Sequence, residues 1–511
     1  WDEWFYYGRE ILFHFGYICP KISLQEAKDA LIYAVEYCEN KKFGWSPWRG
    51  LLKAADHFAS AFNEKTSEEL RHLFERPDLG FYRNILRVNE LFPLSQISSE
   101  DARKHTLVVA STGSGKTDFL LKRCKGRIFY TLPFQASINA MWERFKETIP
   151  NKDIRLLHAT SKIVVGKNID ERILQPLVGS AVKVITPHQL AAIIFGTSGF
   201  ESVILDIKGC DIILDEVHTY SDYSRAMVLE IVKALLHFDC CIHIGTATMP
   251  SVLYNELLQI LGGKENVYEV KLTNEILDDF DRHIIFKQES ESEIISILEN
   301  AFKRKEKVLV VFNTIKNAQN AFKNYSEYFS NIPMMLIHSR FRRGDRVALE
   351  SRLKKEFNGD GKNNPGKSPC LVVATQVVEV SLDISFDRMI TQCAPLDSLI
   401  QRFGRINRPR NENTLKKYKP IHVLAPSGNV LPYKMEVLKS SFNQLPDNGE
   451  LLKERELQEK IDAVFPTLEM KEMDIHLRFK DSKYTIKELT DNRKSVLIEA
   501  LEIEGANCIL E

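Results

Sequence analysis

Between residues 105 and 250 the chain alternates short apolar runs with amphipathic stretches. The runs are "TLVVA" (106–110), "RIFYTL" (127–132), "VKVIT" (182–186), "DIILDE" (211–216) and "IHIGTAT" (242–248). Continuous apolar runs of strand length are what strands buried on both faces of a sheet require, and intervening helices impose parallel pairing. The same alternation returns with "KVLVVFN" (307–313), "MMLIHS" (334–339), "CLVVATQ" (370–376) and "KPIHVLA" (419–425). Two α/β units in tandem are therefore predicted. Before them the pattern is helical and interrupted by "FGWSPWRG" (43–50); after about residue 433 it is charged and helical. The turn-rich "NGDGKNNPGKSP" (358–369) reads as a loop within the second unit, and "APSGNVLP" (425–432) ends it. Four segments follow: 1–85, 86–270, 271–430 and 431–511.

Charge and cysteine usage narrow the classes. Lys plus Arg equals Asp plus Glu at 69 each, so no global basic field advertises nucleic acid and any such contact must come from local clusters. The nine cysteines are scattered without a CxxC pair, which points to reduced thiols in a cytoplasmic protein and not to disulfides or a zinc site. No run of about 18 apolar residues is present to span a membrane, and "WDEWFYYGRE" at the start is no signal peptide.

Chemistry enters with "ASTGSGKT" (110–117), which follows a strand and opens a helix. Gly113 and Gly115 allow backbone N–H groups to turn toward phosphate oxygens, with Ser111, Thr112, Ser114 and Asp118 around them. Lys116 is expected at the β- and γ-phosphates of ATP and Thr117 at Mg²⁺. In "DIILDEVHTY" the apolar run ends on Asp215 and Glu216, at the carboxyl edge of a strand where open α/β sheets bind ligands. Asp215 is expected to hold Mg²⁺, and Glu216 to deprotonate the attacking water. In "QRFGRINRPR" Arg402, Arg405 and Arg408 stand three apart, so on a helix they would share one face. A γ-phosphate would explain Arg405 and Arg408 as cationic triggers.

Longer phrases carry a resemblance. "DEVH", "TAT" (246–248) and "QRFGRINR" form the motif set of superfamily 2 helicases. "LPFQASINAMWERF" (132–145), "DEVHTYSDYS" (215–224), "LIHSRFRRGDR" (336–346) and "ATQVVEVSLDISFD" (374–387), running into "APLDSLIQRFGRINR", resemble the CRISPR-associated helicase–nucleases of type I systems over residues 90 to 425. The resemblance implies an α/β fold: two tandem RecA-like domains with parallel sheets, preceded by a partial all-α HD-type segment and followed by a helical C-terminal segment. It also implies an ATP- and Mg²⁺-dependent translocase on single-stranded DNA, 3′-to-5′ and monomeric, recruited by an RNA-guided surveillance complex. By the same likeness Gln96 reads adenine, Asp383 meets the ribose or bridges the cleft, and His218, Thr246, Thr248 and Gln401 couple hydrolysis to movement. Strand contacts are implied for Pro133, Gln135, Thr186, Gln189, Asn313, Thr314, Ser339, Arg340 and Thr375, whose hydroxyl, amide and guanidinium groups can hold phosphate without reading bases. Two departures from the family pattern touch that path: Phe134 stands where Thr is usual, and "TPHQL" replaces "TIDQ". An RNA-directed DExH helicase is the alternative enzyme, and a scaffold gated by nucleotide binding the alternative without turnover.

"LLKAADHFAS" (51–60) resembles the last helix of the HD nuclease domain of this family, with Asp56 as its final metal ligand. The His-Asp pair and further histidines that would complete a transition-metal site do not precede it, and His14 in "LFHFG" reads as a core histidine. The chain alone is thus expected to lack metal-dependent nuclease activity, and the intact protein to possess it.

Overall fold

The computed structural model describes residues 4–467 except 41–46, 133–134, 151, 158–176, 196–198, 218–221, 359–365, 367, 380–383, 412–413 and 429, together with 477–480 and 483–486. Two seven-stranded sheets dominate it. The first contains β1 (His105–Val109), β2 (Ile128–Thr131), β3 (Ile154–Leu157), β4 (Val182–Ile185), β5 (Asp211–Asp215), β6 (Cys241–Thr246) and β7 (Val267–Lys271). Their order is β3-β4-β2-β5-β6-β1-β7, and every pairing is parallel. Successive residues enter opposite layers: Leu107 and Ile212 face one apolar cluster, Val108 and Ile213 the other. Both faces are covered, which is why the strands read as unbroken apolar runs.

The second sheet is built the same way from β8 (His283–Gln288), β9 (Lys307–Val311), β10 (Met334–Ile337), β11 (Cys370–Ala374), β12 (Arg388–Gln392), β13 (Lys419–Leu424) and β14 (Glu450–Leu452). Its order is β10-β11-β9-β12-β13-β8-β14, parallel except for β14, which runs antiparallel to β8. Leu309 and Val311 enter one apolar layer, Val308 and Val310 the other. The C-terminal segment is thus not helical throughout: β14 closes this sheet, and β15 (Leu477–Lys480) pairs with β16 (Lys483–Ile486) as a hairpin.

Register positions the site. β1 lies between β6 and β7, with Val109 opposite Thr246, and Asp215 of β5 opposite Gly245 of β6. The carboxyl ends of β1, β5 and β6 therefore meet where the strand order reverses, the place at which open sheets leave a crevice. At the N-terminal side, the helix Pro47–Phe62 docks on the helix Phe200–Ile207. A Cβ on Gly50 would stand 2.6 Å from the Glu201 carbonyl oxygen, so only glycine permits that approach. Among the described residues, no helix is long and apolar enough to cross a membrane.

Candidate active site

β1 delivers the chain into the turn 110–115, and the helix Lys116–Arg123 leaves it. Gly113 and Gly115 have φ of +89° and +95°, left-handed values that side chains rarely adopt. The turn is tightly bordered as well: a Cβ on Gly115 would lie 3.4 Å from Phe92 Cβ, and one on Gly113 3.4 Å from Arg410 Cδ. Buried Lys116 folds back across the turn, its Nζ donating to the Ala110 carbonyl at 2.8 Å. A cleft of about 760 Å³ opens beside it. Thr112, Gly113, Gly115, Lys116, Thr117, Asp215 and Glu216 line its phosphate end, with Arg408 and Lys354 from the second unit. Tyr82, Arg87, Asn89, Phe92, Ser95 and Arg144 line it as well.

Asp215 is buried at the end of β5. Its Oδ2 accepts the Tyr130 hydroxyl, while Oδ1 has no hydrogen-bond partner among the described residues. Burial first, and the adjacent Glu216 charge second, push its carboxyl up to about 7 from 3.8. Room for the group comes from Gly245, where a Cβ would sit 3.4 Å from Asp215 Oδ1 and 2.6 Å from Leu120 Cδ1. A buried carboxylate oxygen without a protein partner among the described residues, beside the Thr117 turn, suits a divalent cation. Glu216 takes a φ of +58° and is held by its N–H bond to the Gly245 carbonyl at 2.8 Å. Backbone strain of this kind is retained where surrounding structure over-determines it.

The sign of the Asp215 shift makes a prediction. The folded chain keeps a proton that the unfolded chain has released between about pH 4 and pH 7, so nucleotide-free stability declines as pH rises through that window. Asp215→Asn should therefore raise stability at pH 8 without Mg²⁺ by on the order of 1–3 kcal/mol, and with it the thermal midpoint, while abolishing Mg²⁺-dependent turnover. Calorimetry at pH 5 and pH 8 checks it; a midpoint lowered at pH 8 would contradict the assignment.

The three arginines do not share a face. The helix Leu396–Phe403 stops before Gly404, and Asn407 takes a φ of +51°, so Arg405 and Arg408 lie on irregular backbone. Arg402 is fully buried and donates to Glu379, to Thr391 Oγ1 at 2.8 Å and to Asn313 Oδ1 at 2.9 Å. Arg405 is buried too, giving Nε to the Val378 carbonyl and Nη2 to the Glu379 carbonyl, each at 2.7 Å. Arg408 lines the cleft with Lys116 and Glu216.

Other expected residues fall in varied places. Gln96 is exposed after the turn Pro93–Ser95, and the cleft is lined by Phe92 and Ser95 in its stead. The Asp118 carboxylate is taken by Arg87 at 2.6 Å and by Arg144. Ser111 and Ser114 are buried in the turn. Thr246 donates to the Thr248 carbonyl at 2.6 Å, its own carbonyl accepts from Ala110, and Gln401 is buried. Thr186, Thr314, Ser339 and Thr375 follow the carboxyl ends of β4, β9, β10 and β11, with Gln189 and Arg340 close behind in sequence. Ser339 and Arg340 are exposed and Thr186 and Thr375 buried, whereas Thr314 caps its helix by accepting from Asn317 N–H at 3.2 Å. Asn313 Nδ2 donates to the Cys393 carbonyl at 2.7 Å. Gln135 opens the helix Gln135–Thr148; Pro133, His218 and Asp383 lie outside the described residues. Asp56 is exposed on the helix Pro47–Phe62, and His14, expected in the core, is exposed at the end of the helix Arg9–His14. The group of metal-ligand type among the described residues is elsewhere, at Cys124, Asp211 and His243, where Asp211 already binds His243 at 3.0 Å and two backbone N–H groups.

Three side chains against the phosphate turn escaped the sequence reading. Arg410 crosses to the first unit, donating Nε to the Leu91 carbonyl at 3.0 Å and stacking 3.6 Å over Phe280. Burial lowers its pKa to about 10. Arg282 and Glu454 meet the phosphate turn from its other side. The signal for Arg410 was present in "RPR", but a helical spacing argument passes over it.

Comparison with known proteins agrees with this geometry. Residues 94–255 match the model of the DEAD/DEAH box helicases, and residues 304–411 that of the C-terminal part of the CRISPR-associated nuclease/helicase Cas3. The CRISPR-associated nuclease/helicase Cas3 of Methanothermobacter thermautotrophicus is 29% identical over 395 residues, 71% of this chain and 45% of its own. The crystal structure of T. fusca Cas3 superposes with a TM-score of 0.61 at 17% identity, over 77% of this chain and 54% of that one. A chain of a CRISPR RNA-guided surveillance complex in its pre-nicking state gives 0.53 at 20% identity, over 71% and 49%. The chain thus spans about half the length of the relatives it matches.

Proposed function

We propose that this chain, whose helicase core is that of the CRISPR-associated nuclease/helicases, hydrolyses ATP to move along single-stranded DNA. One observation carries the reading. Lys116, Thr117, Asp215 and Glu216 of the first lobe and Arg408 of the second line a single cleft. A triphosphate there would be held by both lobes at once, so its cleavage would change their spacing.

The chemistry follows from the residues. Gly113 and Gly115 let the turn's backbone N–H groups surround the phosphates, and Lys116 leaves the Ala110 carbonyl to neutralise them. Thr117 and Asp215 would hold Mg²⁺, which would supply charge neutralisation for the phosphates. Glu216 accepts a proton from water as its oxygen bonds to the γ-phosphorus and the bond to the β–γ bridging oxygen breaks, releasing ADP. Arg408 stabilises the charge that builds on the transferred group.

Polarity of 3′-to-5′, a monomeric state, a cytoplasmic setting and recruitment by an RNA-guided surveillance complex of type I systems belong to the same reading. Family resemblance supports them, and the fold shared with a chain of such a complex is in keeping with the last. In that setting the displaced strand of an R-loop would be the track. The intact protein would add metal-dependent HD nuclease activity, to which Asp56 would contribute a ligand. Exposed Ser339 and Arg340, at the carboxyl end of β10, offer phosphate-binding groups.

Poly-dT is expected to stimulate ATP turnover several-fold more than poly-U at equal nucleotide concentration. Stimulation by poly-U alone would move the assignment to an RNA-directed helicase. ATP binding without turnover under either polymer would leave a nucleotide-gated scaffold.

A further inference from the structure

The stretch 450–465 is anchored in the second lobe but presents its polar side chains to the first. β14 closes the second sheet against β8, and Leu457, Ile461 and Val464 sit in that lobe's core. On the opposite side Glu454 Oε2 accepts from Ser111 Oγ of the phosphate turn at 2.8 Å, and the Glu454 N–H donates to Asp281 at 2.7 Å. Gln458 Nε2 donates to the Met249 carbonyl at 2.9 Å. Asp462 accepts from both the N–H and the hydroxyl of Ser251, each at 2.7 Å. One short element therefore grips the turn after β1 and the turn after β6, the loops that follow the two strands next in the sheet on one side of β5.

Beside the first grip lies Arg282, just before β8. It is 6% exposed, and its Nε and Nη1 have no hydrogen-bond partner among the described residues. Its Nη2 reaches the Thr112 carbonyl only at 3.5 Å. Glu454 is the anion set against this cation, and burial raises its pKa against the pull of Arg282. A carboxylate at this position adds negative charge behind the turn that phosphates must approach. It also occupies the Ser111 hydroxyl and balances a guanidinium that would otherwise favour an incoming anion.

We propose that residues 450–465 are a strap by which the second lobe restrains the phosphate turn and the turn after β6 of the first, with Glu454 and Asp462 as its grips, and that this strap suppresses ATP turnover when no nucleic-acid strand is bound. The inference rests on the ATPase reading above and adds a restraint to it. Strand binding across the lobes shifts their spacing, loosens the grips and frees the cradle. Glu454 and Asp462 are positioning residues, since neither is placed on the reacting atoms.

The test uses the full chain, with ATP turnover measured with and without poly-dT. Glu454→Ala and Asp462→Ala should each raise strand-free turnover by about three- to tenfold, the effect of releasing one or two charge-assisted hydrogen bonds. KM for ATP should fall in Glu454→Ala, while the rate at saturating poly-dT stays near wild type, so the stimulation ratio drops. Asp462 is half-buried at the lobe boundary, and its variant carries the test if Glu454→Ala does not fold. Folded variants that keep the wild-type KM and stimulation ratio, or whose strand-free rate falls, overturn the strap alone. A wild type as inactive as Lys116→Ala, with or without poly-dT, overturns the ATPase reading and the strap with it.

Discussion

Glu216→Gln is expected to lower ATP turnover by about 10²–10⁴-fold while ATP binding persists. Those figures are what a positioned general base supplies, equal to roughly 3–5 kcal/mol of transition-state free energy. The substitution keeps size and shape, and the left-handed backbone at this position, bonded to the Gly245 carbonyl, is unaffected by the change of side chain. A second effect has the opposite sign. The Glu216 charge is one cause of the raised Asp215 pKa, so its removal should lower that pKa and tighten Mg²⁺–nucleotide binding near pH 7. Single-turnover hydrolysis together with titration of a fluorescent ATP analogue separates the two. An unchanged rate would show that another group takes the proton.

Arg408→Ala should cost about 10³–10⁵-fold in turnover with little change in thermal midpoint, because a cation facing the transferred phosphoryl acts mainly in the transition state. Lysine should not restore the rate, since a point charge cannot reproduce a planar fork. Arg405→Ala should behave differently. Its guanidinium is 3% exposed and satisfies two buried carbonyls, those of Val378 and Glu379. Removing it orphans both, a loss of roughly 2–4 kcal/mol of stability visible in thermal denaturation. If Arg405→Ala kept its midpoint and lost turnover while Arg408→Ala did the reverse, the two roles would have to be exchanged.

These two arginines also mark where the sequence stops being sufficient. Spacing of three suggested a shared helical face, yet the helix ends at Phe403 and Asn407 turns left-handed. Local sequence carries no statement about which of two nearby guanidiniums finds carbonyls and which finds a cleft. Strands followed the same division. Central β1, β5, β9 and β11 are buried on both faces and read as apolar runs; β3 and β7 stand at sheet edges, are only partly buried, and were passed over. β12, "RMITQ", is nearly all buried but begins with Arg388, whose charge is matched by Glu306 at 2.7 Å. A paired charge looks polar in sequence and behaves as core in the fold.

Taken by itself, the chain's order of residues determined the tandem α/β architecture, the left-handed glycine turn, and the Asp-Glu pair at a strand end, because each depends on neighbours within a few positions. Tertiary structure alone decided that Asp215 keeps an oxygen unpartnered among the described residues, that Gln96 is exposed and not in the cleft, and that Arg408 rather than Arg405 lines it. It also brought Glu454 to Ser111 across 343 positions. Burial and charge pairing are sums over residues far apart in the chain, and only the packed lobes bring those residues together.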